Sequence, residues 1–163
     1  MRLRSQASAS TPVTGLSRPV VRAILPSAIL LLLLTGCSSL FGPSKEEQAA
    51  AVSEAVQSSS SEISAVEVIP AIDGFSRYFH LYVTMNGDDV TAAQIDGFLA
   101  AATPATPEDR DRITFGVYPA DGDDSLSILE QARELGVPAK YVLDDYTLEL
   151  PLEWLRQEHD TAR

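Results

Sequence analysis

Apolar positions change their period several times along the second half of this chain, and each change marks an element. Ile63–Ile72 (ISAVEVIPAI) and Tyr78–Met85 (YFHLYVTM) are short runs rich in β-branched and aromatic residues, which predicts two strands. Asp73-Gly74 between them supplies a turn, so this first pair is antiparallel. From Thr91 to Ala102 (TAAQIDGFLAAA) the period lengthens. Ile95, Phe98 and Leu99 share one helical stripe, and Thr91 precedes Gln94 at capping-box spacing. Thr103-Pro104-Ala105-Thr106-Pro107 is expected to break that helix. Strict alternation returns over Arg112–Tyr118 (RITFGVY), a third strand.

Asp121-Gly122-Asp123-Asp124 then reads as a turn and an acidic cap for a helix over Leu126–Leu135. That helix turns Leu126, Leu129, Ala132 and Leu135 or Ile128 inward, and Gly136 and Pro138 stop it. Tyr141–Leu152 (YVLDDYTLELPL) is strand again, one long run or a hairpin turning at Asp144-Asp145; Trp154 and Leu155 start a terminal helix or packed tail. The order is ββαβα followed by one or two strands. It predicts an α+β two-layer sandwich, a mixed sheet of four or five strands with two helices on one face. Strands joined by a crossover helix are expected to be parallel.

Upstream the pattern is different. Residues 1–36 hold no acidic residue but carry Arg2, Arg4, Arg18 and Arg22, followed by an apolar run from Ala23 to Leu34. About 20 apolar residues are needed to span a bilayer, and this run is shorter. A basic start, a short apolar stretch and a small-residue exit make a secretory signal peptide. Taking those four arginines from the twelve basic residues leaves eight against 23 acidic ones, a formal −15 after position 36. Such a balance excludes a nucleic-acid partner, whose phosphates need a basic surface. Ser38 to Ser44 packs poorly, Lys45–Gln57 (KEEQAAAVSEAVQ) is helix-prone but offers mostly Ala to a core, and Ser58–Ser61 is a serine run. Residues 37–61 are therefore read as a flexible tether and 62–163 as the folded domain, with docking of 45–57 on the domain or on a partner as the alternative.

The exit of the apolar run is specific. Leu34-Thr35-Gly36-Cys37 resembles the lipobox of bacterial lipoproteins, and Cys37 is the only cysteine in the chain. The resemblance implies cleavage after Gly36, diacylation of the Cys37 sulfur, and a lipid-anchored protein on the extracytoplasmic face of the cell membrane. Ten of the twelve basic residues are Arg, which with abundant Ala looks like a high-GC Gram-positive composition. The chain thus resembles the small envelope lipoproteins of such cells.

Candidate chemistry is sparse. Alternation along the second strand sends Phe79, Leu81, Val83 and Met85 to the helices and Tyr78, His80, Tyr82 and Thr84 to the other face. The third strand adds Tyr118 to that face, with Thr114 and Gly116, and Glu149 joins from the last strand. Tyr78, His80, Tyr82 and Tyr118 are the candidate surface for an envelope protein or wall component, since Tyr and His combine an apolar body with a polar tip. The same residues also suit an ordinary solvated sheet face. The acidic pairs Asp88-Asp89, Asp121/Asp123/Asp124 and Asp144-Asp145 suggest calcium. However, positions six and twelve of an EF-hand counted from Asp121 are Leu126 and Ala132, so the motif fails and turn or cap roles explain the aspartates. No Gly-x-Ser-x-Gly elbow, phosphate loop or thiolate cluster occurs, so no cofactor and no catalytic residue is assigned. The rival readings are a small envelope enzyme using His80 and a cation- or solute-binding lipoprotein using the acidic turns.

Overall fold

The computed structural model describes residues 42–160 apart from Asp123. Four strands, β1 (Ile63–Asp73), β2 (Ser76–Met85), β3 (Arg112–Pro119) and β4 (Thr147–Pro151), form one sheet in the order β1-β2-β3-β4. The pairs β1/β2 and β3/β4 are antiparallel, and β2/β3 is parallel. Among the described residues four α-helices accompany it: α1 (Lys45–Gln57), α2 (Ala92–Ala105), α3 (Leu129–Glu134) and α4 (Leu152–Asp160). The fold is α+β. Among the described residues no helix is long and apolar enough to cross a membrane.

The core lies on one face of the sheet. Phe79, Leu81, Val83 and Met85 from β2 and Ile113, Phe115 and Val117 from β3 join one buried cluster with Ile95, Phe98 and Leu99 of α2, Ala132 of α3 and Leu155 of α4. The β1–β2 hairpin turns through Gly74 and Phe75. Gly74 has φ 60°, the left-handed value a two-residue turn with glycine first requires. Thr91 and Gln94 form the expected capping box at the start of α2.

Several expectations are corrected. The first concerns the tether: from Lys45 onward the segment is folded, not flexible. Ser44 and Glu47 close a capping box, and Ala49, Val52 and Val56 are buried along one face of α1. Their side chains are small, so the helix sits close to β1 and α2, and this packing supplies the stability an isolated Ala-rich helix lacks. Helix α1 also guards the sheet edge. Ser53 Oγ donates to the Val66 carbonyl at 3.0 Å and Gln57 Nε2 to the Ile63 carbonyl at 3.1 Å, both on the outermost strand. The domain therefore begins at α1, ahead of residue 62. The remainder of that tether, residues 37–41 with Cys37, and the signal peptide over 1–36 lie outside the described residues.

Helix α2 runs through Pro104 instead of stopping before it. The Thr103 hydroxyl donates to the Leu99 carbonyl and the Thr106 hydroxyl to that of Ala102, binding the last turns. It ends at Ala105, where Thr106 turns extended ahead of Pro107.

The second predicted helix is short. Leu126–Ile128 stay outside the helix, with Leu126 N–H on the Val117 carbonyl and Ile128 N–H on that of Asp145, and no side chain caps α3 at Ile128. At ~9 Å, α3 does not carry the chain back along a strand of ~26 Å. The chain re-enters the sheet at the end where it left, and β4 is antiparallel to β3 instead of parallel. The run expected as strand from Tyr141 begins as a 3-10 turn over Ala139–Tyr141, with one isolated bridge from Val142 to Leu148.

Candidate functional site

The face of the sheet opposite the core is composed by the registers. Tyr82 is level with Glu67 on β1 and Gly116 on β3, His80 with Ile69 and Thr114, and Tyr78 with Ala71 and Arg112. Strand β4 adds Thr147, Glu149 and Pro151 opposite Gly116, Thr114 and Arg112. Along β2 burial alternates residue by residue, fully buried toward the helices and half-buried on this face. Among the described residues, the helix side chains that pack on the sheet all belong to the cluster on the other side.

All four residues singled out from sequence meet here as one chain of rings. Tyr78 and His80 stand edge to face with centroids 5.1 Å apart. His80 stacks on Tyr82 at 5.8 Å with 11° between the planes, and Tyr82 meets Tyr118 edge to face at 5.8 Å. The Tyr82 ring lies over Gly116. A Cβ there would lie 3.5 Å from Tyr82 Cδ1, so the Tyr82 ring covers the gap its missing side chain leaves.

Burial, with Tyr118, Glu67 and Tyr78 nearby, holds the Tyr82 phenol above its ordinary pKa and keeps it a neutral donor. Among the described residues His80 Nδ1 is buried and finds no hydrogen-bond partner. An acid–base histidine is normally oriented through its second nitrogen, and His80 lacks that support.

One participant was not foreseen. Arg112 lies over the Tyr78 ring, its guanidinium carbon 4.1 Å from the centroid. It donates to Ser76 Oγ at 2.7 Å and pairs with Glu149 across 3.4 Å. The sequence places Arg112 at the head of a strand, but nothing local marks which ring it will cover. At the opposite end of the row, Glu67, Tyr82, Thr84, Tyr118 and Pro119 border a groove of 520 Å³. The face thus offers aromatic rings, phenol hydroxyls, the Arg112 cation and the Glu67 and Glu149 carboxylates.

The other candidates fall elsewhere. His159 is on α4, its Nδ1 3.9 Å from Asp96 Oδ1, beside a separate 660 Å³ cleft between α2 and α4. His80 and His159 are thus on opposite sides of the sheet. Among the described residues no group of three or more His, Cys, Asp or Glu side chains is placed to hold a metal ion. Asp144 Oδ1 accepts from the Tyr146 N–H at 2.9 Å, a turn role. No family model, curated protein or solved structure matches the chain.

Proposed function

We propose that this chain is a lipid-anchored extracytoplasmic lipoprotein whose domain is a non-catalytic binding module, using the Tyr78–His80–Tyr82–Tyr118 face against an envelope protein or wall component. The observation that carries the reading is the continuous row of four rings on the sheet face away from the helices. Aromatic side chains of this kind dominate contact surfaces because they bring large area at little conformational cost and keep a polar tip for hydrogen bonding. The anchor rests on Leu34-Thr35-Gly36-Cys37, with two or three acyl chains holding firmly where one would not. Two supports favour binding over catalysis: the unsupported His80 Nδ1 and the distance of His159 from this face.

The test is cross-linking in native membranes of the wild type beside a Tyr78→Ala/Tyr82→Ala variant, with thermal melts confirming that the variant is folded. A partner trapped by the wild type and lost from the folded variant supports the module. Equal trapping by both moves the contact surface away from this face. Replacing Cys37 by Ser is expected to release the chain from the membrane fraction.

A further inference from the structure

The end of the molecule where α1 begins is also the end where the β1–β2 hairpin turns. Arg110 Nη2 donates to Gln48 Oε1 in the first turns of α1, while the neighbouring Asp111 accepts from the Arg77 N–H at the foot of β2. At the other end of α1, Gln57 reaches the Ile63 carbonyl at the start of β1. Helix and hairpin therefore run side by side, and α1 begins on the hairpin-tip side.

That tip is apolar. Phe75 has a relative exposure of 106% and Ile72 one of 56%, on either side of Asp73-Gly74. The turn itself needs only the glycine. A fully exposed Phe in its second position contributes nothing to the core, and the few large exposed apolar side chains of a domain mark contact sites when they sit together. Two lengths then matter. Ser53 is level with Val66, from which the strand descends eight residues to Gly74, ~26 Å, while the helix descends eight residues to Lys45, ~12 Å. The tip thus projects ~14 Å beyond the start of α1. The eight residues from Cys37 to Lys45 reach at most ~28 Å when extended. A membrane held at Cys37 lies within reach of the tip.

We infer that the Ile72/Phe75 hairpin tip inserts into the interfacial layer of the membrane that holds Cys37, as a second, protein-borne anchor that sets the domain upright. The inference rests on the acylation of Cys37 in the proposed function. End-on insertion brings Asp73 to headgroup level; Asp109 and Asp111, level with Ile72, are held there by Arg77, through its guanidinium and its N–H respectively. The row of rings then faces sideways, open to a partner in the same membrane or in the wall.

The test uses the acylated chain, purified and reconstituted in phosphatidylcholine vesicles with and without brominated acyl chains. Trp154, the native indole, is replaced by Phe; in that background Phe75→Trp reports on the tip and Asp88→Trp on the opposite end of the sheet. Expected is quenching of the indole at position 75 by at least about twofold in brominated vesicles, with a blue-shifted emission, and no quenching at position 88. An acylated chain whose indole at 75 is no more quenched than that at 88 overturns the insertion and leaves the anchor intact. Mass analysis of the N-terminal peptide separates the two ideas: an unmodified Cys37 overturns the anchor, and the insertion with it. A third variant, Ile72→Trp, guards against a local effect at 75 and is expected to show the same quenching.

Discussion

Alternate residues of β2 face opposite ways, and the two sides of this ten-residue strand are finished by different physics. Toward the helices, Phe79, Leu81, Val83 and Met85 are fully buried, each removing apolar surface from water at ~1.5–3 kcal/mol. On the other side, Tyr78, His80 and Tyr82 are half-buried and rest on one another, with Arg112 over Tyr78 and Gly116 beneath Tyr82. Pairs of that kind contribute about 0.5–1.5 kcal/mol beyond their burial. The covered face thus buries more apolar surface than the ring face, and its side chains are expected to contribute more to stability.

Substitutions on the two faces break this comparison or sharpen it. The largest loss is expected from Phe115→Ala, which empties a fully buried site between the helices and the sheet: about 3–5 kcal/mol in urea denaturation. Val52→Ala with Val56→Ala truncates the two larger of α1's three buried side chains. A loss of about 2–4 kcal/mol is expected if the helix belongs to the domain, and no measurable change if it is a tether after all. Tyr82→Ala on the ring face is expected to cost only about 1 kcal/mol while abolishing cross-linking, which separates stability from recognition. A loss as large as that of Phe115→Ala would show the ring face to be core.

The smallest effect concerns acid. Asp111 lies below its ordinary pKa of 3.8, chiefly through the Arg77 backbone N–H, then the Ser76 hydroxyl, Arg112 and the Arg77 charge. Its folded-state pKa is depressed, so its contribution is present above that value and lost as pH falls through the depressed one. Melting temperatures between about pH 4 and pH 2 should fall less steeply for Asp111→Asn than for the wild type.

Alternation made both faces of β2 and β3 readable from the chain, because side chains of a strand must point alternately. The capping box at Thr91 and Gln94 was likewise a local matter, closed within four residues. Other features depended on distant partners. Helix α1 looked like a tether because its apolar residues are small; only against β1 and α2 do Ala49, Val52 and Val56 find enough neighbours to be buried. Buried Arg110 is a similar case, lying 4.7 Å above the Phe79 ring and reaching Gln48 from 62 residues away in the chain.

The sequence by itself determined which residues face the helices and which face away, where the first turn falls, and that the chain carries a cysteine at lipobox spacing. Those properties follow from periodicity and from short motifs, whose causes lie within a few residues. Tertiary structure decided that the presumed tether is a core helix, that the last strand runs antiparallel, and that Arg112 joins the row of rings. Each depends on packing, chain length or charge pairing between segments far apart, and a linear pattern does not hold those distances.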